Sequence, residues 1–77
     1  MDKLLRLARA REAARSGRAA RMRRLAGLSQ AELAHEIGVS PGCISRWEAG
    51  KRVPRGERAR RYAKVLAALA NEVGGAE

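Results

Sequence analysis

Residues 29–50 read Ser29-Gln-Ala-Glu-Leu-Ala-His-Glu-Ile-Gly-Val-Ser-Pro-Gly-Cys-Ile-Ser-Arg-Trp-Glu-Ala-Gly50. Two helical periods meet at a glycine inside this stretch. Ala31, Leu33, Ala34 and Ile37 are spaced to line one face of a first helix. Ile44 and Trp47, three apart, share a face of a second. Val39 lies between them and is expected to plug the angle where the two meet. Ser29 is placed to cap the first helix, and Glu32 three residues on completes a capping box. Gly38 falls where that helix must stop and the chain must turn, a task that favours a left-handed backbone. Ser40 then caps the second helix, with Pro41 at its first position, where a missing N–H costs nothing.

Helix, tight glycine turn, capped helix is the plan of a helix-turn-helix. Residues 29–50 resemble that motif in the phage repressor and Cro-like family, also called the XRE family. Gly-Leu-Ser-Gln-x-x-Leu-Ala-x-x-Ile-Gly-Val-Ser at 27–40 and Ile-Ser-Arg-Trp-Glu-x-Gly at 44–50 carry the likeness, which extends through Arg18–Leu69. Pro41 and Gly42 depart from it, standing where many relatives carry polar side chains. The resemblance implies an all-α, four- to five-helix, lambda-repressor-like domain that binds double-stranded DNA. It implies a Cro or immunity-repressor type of regulator, with a possible homodimer on a palindromic operator. The helix ahead of the motif and the loop Arg52-Val-Pro-Arg55 look like those of small proteins of actinobacterial phages.

Composition points the same way independently. The 77 residues, with no Phe, one Trp and one Tyr, make one small domain rich in helix-forming Ala, Leu and Arg. Such a chain buries only about 60% of its unfolded surface and has no room for an enclosed enzyme pocket. The net charge is +9, unevenly placed: +7 over residues 1–28, −2 over 29–50, +6 over 51–64 and −2 over 65–77. Two basic blocks bracket the motif, and a polyanion is their natural partner, because neutralised phosphates release counterions. Cys43, alone, cannot form an internal disulfide. No apolar run approaches the roughly 18 residues of a membrane span. The expectation is a cytoplasmic protein with neither membrane nor small-molecule partner.

Outside the motif, residues Asp2 to Ala14 are expected to form a helix, with Leu4, Leu5 and Ala8 packing on the last helix or serving as a dimer contact. Arg6, Arg9 and Arg15 line much of the rest. Ser16-Gly17 is a plausible break, although an unbroken helix to Ala26 is the alternative. The helix before the motif would hold Ala20, Met22 and Leu25 and end at Gly27, with Leu28 turning inward. Lys51 to Arg55 reads as a basic loop, since proline disfavours helix at Val53. A last helix should run from near Gly56 to about Asn71, with Tyr62, Val65, Leu66 and Leu69 inward and Gly74-Gly75 closing it. This divides the chain into an added helix at 1–16, a DNA-binding domain at 17–71 and a fraying tail at 72–77.

Catalysis finds no foothold. His35 lies on a solvated side of its helix, and neither it nor Cys43 belongs to a set with the ligand spacing zinc requires; no cofactor or metal is implied. Cys43, near a helix N-terminus, has the setting of a redox sensor or, more plainly, of a small residue at the surface.

The chemistry falls to the second helix, which in this motif enters the major groove. With Ile44 and Trp47 inward, Ser40, Pro41, Gly42, Cys43, Ser45 and Arg46 are left for DNA. The Arg46 fork suits guanine O6 and N7, the alternative being a phosphate contact that positions without specifying. Ser45 can bond a base; Pro41 and Gly42 offer a thymine-methyl contact or close backbone approach. Ser40 and Cys43 are candidates for phosphate. Lys51, Arg52 and Arg55, then Arg18, Arg21 and Arg24, are the remaining phosphate candidates, with Arg58, Arg60 and Arg61 behind them. The resemblance implies that Gln30 contacts a phosphate from its helix N-terminus and that Arg23 pairs with Glu48, tying the preceding helix to the recognition helix. Competing readings are an antitoxin or other protein-binding regulator of the same fold, an excision or recombination accessory factor, and a cationic membrane-surface binder driven by residues 2–24.

Overall fold

The computed structural model describes residues 2–75. Five helices follow in order: α1 (Asp2–Ser16), α2 (Arg18–Leu25), α3 (Gln30–Ile37), α4 (Pro41–Glu48) and α5 (Gly56–Gly75). No strand occurs among the described residues. The fold is therefore the all-α helix-turn-helix architecture that the sequence pattern predicts.

Gly17 separates α1 from α2 in the left-handed conformation, φ +92°. No side chain larger than glycine's adopts this readily, so the chain breaks here instead of running on to Ala26. The α3–α4 corner is built as its punctuation predicts. The Glu32 amide donates to Ser29 Oγ at 3.0 Å and the Ser29 amide donates to Glu32 Oε1 at 2.8 Å. These bonds to the Ser29 backbone and side chain hold the Glu32 carboxyl below its ordinary value. Gly38 ends α3 at φ +88°, and the amides of Gly38 and Val39 both return to the Ala34 carbonyl, at 2.8 and 3.0 Å. Ser40 Oγ then accepts from the Cys43 amide at 3.2 Å.

The core joins Leu33, Ala34 and Ile37 of α3, Ile44 and Trp47 of α4, Tyr62, Ala63 and Leu66 of α5, and alanines of α1 and α2. Val39, Val65 and Leu69 are partly buried against it. Tyr62 is fully buried, and that burial, with the nearby Glu48 charge, pushes its phenol well above the usual tyrosine value.

Five apolar expectations need correction, and Ala8, expected inward with Leu4 and Leu5, is one of them: it is exposed. Leu4 and Leu5 remain 63% and 45% exposed. The row of α1 that turns inward is Ala10, Ala13 and Ala14. Leu4 and Leu5 precede Ala10 by six and five residues, which puts them on other rows of the helix; Leu7, three before it, is half-buried. Leu25 is 66% exposed, because α2 turns Ala19, Ala20 and Arg23 inward instead. Ala31 is also exposed. Finally, α5 continues past Asn71 to Gly75, so part of the tail expected at 72–77 is helical, and residues 76 and 77 lie outside the described residues.

Candidate nucleic-acid interface

The outer surface of α4 is open. Ile44 and Trp47 are 0% and 4% exposed and hold the helix down. Pro41, Gly42, Ser45 and Arg46 are exposed on the other side, and Ser40 is exposed at its N-terminus. The Arg46 side chain runs back along the helix: a Cβ built on Gly42 would lie 3.3 Å from Arg46 Nη1. The bare backbone at Gly42 is therefore the floor beneath the guanidinium.

Cys43 does not join this outward set. It is partly buried against the core, because it shares a helix face with Trp47 four residues on. Its amide is already engaged by Ser40 Oγ, so a phosphate contact from Cys43 is poorly served.

Behind α4 sits a polar cluster. Arg23 Nε and Nη2 donate to Glu48 Oε2 and Oε1 at 2.7 and 3.0 Å. Arg23 Nη1 donates to the Leu28 carbonyl at 2.8 Å. The side chains of Arg23 and Glu48 are 8% and 6% exposed, so this bidentate pair is largely out of water. Gln30 Nε2 adds a third bond to the carboxylate, 2.9 Å from Glu48 Oε1. Burial alone would raise the Glu48 carboxyl, but bonds from Arg23 and Gln30, with the charges of Arg23 and Arg24, outweigh it and hold the carboxyl below its ordinary value. The Glu48 bond likewise raises Arg23. Three helix ends are thus locked together: α2, the start of α3 and the end of α4.

The Gln30 bond was not legible in the sequence, since the partners are 18 residues apart and their contact depends on the crossing of α3 and α4. It commits one amide hydrogen of the residue expected to meet phosphate, and it fixes where the rest of that side chain points.

The basic loop leaves α4 tightly. The amides of Lys51 and Arg52 return to the Arg46 carbonyl at 2.9 and 3.3 Å, while Lys51, Arg52 and Arg55 are exposed. Pro54 is not a surface residue: it is fully buried, and its carbonyl accepts from Arg11 Nε at 3.0 Å. Arg21 and Arg24 are exposed on α2. Arg18, also exposed, is paired with Glu12, which takes up part of its charge. Arg58 and Arg60 are exposed, and Arg61 Nη1 is drawn to the Ile37 carbonyl at 3.3 Å. His35 is exposed. No group of His, Cys, Asp and Glu among the described residues could hold a metal ion, and no described helix is long and apolar enough to cross a membrane.

Comparison with curated proteins and with solved structures gives no match. A model of the helix-turn-helix family matches residues 19–68, about two-thirds of the 77-residue chain and the whole of α3 and α4. By this match the chain belongs to the XRE, Cro-like family of DNA-binding helix-turn-helix proteins.

Proposed function

We propose that the protein is a sequence-specific regulator of transcription, of the Cro or immunity-repressor type, that reads the major groove of double-stranded DNA with α4. The observation that carries this is the open outer face of α4, with Arg46 over a bare glycine, on a helix fixed from behind by Arg23, Gln30 and Glu48. A recognition helix must arrive with its side chains already placed, since ordering on binding costs affinity.

In this reading Arg46 takes a guanine edge, with Ser45, Gly42 and Pro41 beside it. Ser40, Lys51, Arg52, Arg55, Arg21 and Arg24 meet phosphates, and Gln30 meets one with its remaining hydrogen-bonding capacity. Arg18 contributes less while paired with Glu12. Residues 17–71 form the DNA-binding unit, and the added helix at 1–16 completes its core through Ala10, Ala13 and Ala14.

Selection of binding sites from random duplexes, followed by footprinting, tests the proposal and returns site, symmetry and half-site spacing together. A purified protein that prefers no duplex over random competitor at moderate ionic strength overturns it. Within a bound site, Arg46→Ala should lose about 1–3 kcal/mol of discrimination at one base pair. Lys51→Ala should weaken all sequences alike and shallow the salt slope by about one unit.

A further inference from the structure

We propose that Arg11, on the helix ahead of the family's matched segment, is a positioning residue for DNA binding: it holds the Pro54 carbonyl and so sets where Lys51, Arg52 and Arg55 stand. This rests on the reading that those three cations grip phosphates.

The loop between α4 and α5 has anchored ends. Its first amides return to the Arg46 carbonyl, and at its far end the Arg55 carbonyl accepts from the Ala59 amide at 3.4 Å. Between these ends, the Arg11 bond is the only one that any side chain makes to residues 51–55 among the described residues. It spans 43 positions of sequence. Pro54 has no N–H to donate, so its carbonyl is the one backbone group through which this residue can be tied. Its ring is fully buried, and Arg11, Ala14 and Arg15 of α1 line a crevice with Trp47, Gly50 and Val53. α1 thus rests on both the end of the recognition helix and the loop that follows it.

The physical consequence is preorganisation. Three cations on an exposed loop grip a phosphate strand tightly only if the loop is already in place, because ordering it on binding lowers affinity. Arg11 is itself a cation, so a direct phosphate contact is the competing explanation, and the two differ in how Arg11 couples to the loop.

The test is Arg11→Met, which keeps helix propensity and length but donates no hydrogen bond. In the free protein, amide exchange over residues 51–55 should speed up while helix content is retained. On a selected duplex, Arg11→Met should raise Kd about fivefold in the wild-type background. In a Lys51→Ala, Arg52→Ala, Arg55→Ala background the same change should cost less than twofold, since the groups it positions are gone. Unaltered loop exchange overturns the inference. So does an equal loss in both backgrounds, which would make Arg11 a direct contact. Failure of the wild-type protein to bind any duplex would sink the DNA-binding reading instead, and the exchange measurement would still decide whether Arg11 holds the loop.

Discussion

The indole of Trp47 lies against the ring of Tyr62, centroids 4.7 Å apart and planes tilted by 38°. This contact joins α4 to α5 through two residues that are 4% and 0% exposed. Aromatic pairs in this geometry contribute about 0.5–1.5 kcal/mol beyond the area they bury. The Tyr62 hydroxyl, however, is buried with no hydrogen-bond partner among the described residues. An unpaired buried hydroxyl costs about 1–3 kcal/mol, whereas Phe keeps the ring contact. Tyr62→Phe should therefore hold or raise the urea midpoint. A fall of more than about 1 kcal/mol would mean that the hydroxyl is satisfied in solution.

Arg23 and Glu48 should behave as a unit. Arg23→Ala leaves a carboxylate buried with only Gln30 beside it, and breaking such a pair costs about 3–5 kcal/mol. A domain of 77 residues has a total stability of about 4–12 kcal/mol, so this variant should lose a quarter or more of it and show a clearly lower urea midpoint. The double replacement Arg23→Met, Glu48→Leu leaves no unpaired charge and should recover much of the loss. Chemical denaturation of the three variants checks it; a double variant no better than the single one would contradict the account.

The same carboxylate sets an acid limit. The Glu48 carboxyl is depressed in the folded protein. Its stabilising effect is therefore complete above the unfolded glutamate value of about 4.3 and is lost as pH falls through the lower folded value. Glu32, depressed by its bonds to Ser29, acts in the same direction. The urea midpoint should drop as pH falls below about 5, and the Arg23→Met, Glu48→Leu variant, which lacks the carboxylate and leaves no charge unpaired, should show a smaller drop. A wild-type midpoint that stays level over this range would exclude the carboxylate as its source.

Local signals carried the corner and long-range packing carried the rest. Ser29, Glu32, Gly38, Ser40 and Pro41 act within three or four residues of themselves, so their roles could be read before any tertiary contact was known. Ile44 and Trp47 followed from helical spacing alone. The Arg23–Glu48 bond came only with the family resemblance, since no spacing rule links residues 25 apart. The inward row of α1 is not marked by its large residues. There the small ones are buried, which lets helices approach closely, while Leu4 and Leu5 stay in water. The Gln30 and Arg11 bonds depend on how helices cross, which no local pattern encodes.

Gly38 should resist replacement for a backbone reason. Its φ of +88° would cost an alanine about 1–2 kcal/mol. The added Cβ would also meet Arg61 Nη1 at 3.2 Å, but that is the far end of a flexible side chain and can move. Gly38→Ala should thus lose about 1–2 kcal/mol, and adding Arg61→Ala should not restore it. Rescue by the second change would show that the crowding, not the backbone, was responsible.

Gly42 makes the opposite case, because its backbone is helical and carries no positive φ. Glycine inside a helix is about 0.5–1 kcal/mol worse than alanine, so Gly42→Ala should stabilise the fold. The new methyl would sit 3.3 Å from Arg46 Nη1 and 3.8 Å from Nη2, which pushes the guanidinium off its floor. Stability and recognition should therefore move apart: the urea midpoint rises while preference at the Arg46 base pair weakens. Sequence preference that survives intact in this variant would show that Arg46 does not read DNA from the position it holds over Gly42, and that its fork swings to another course when it meets the groove.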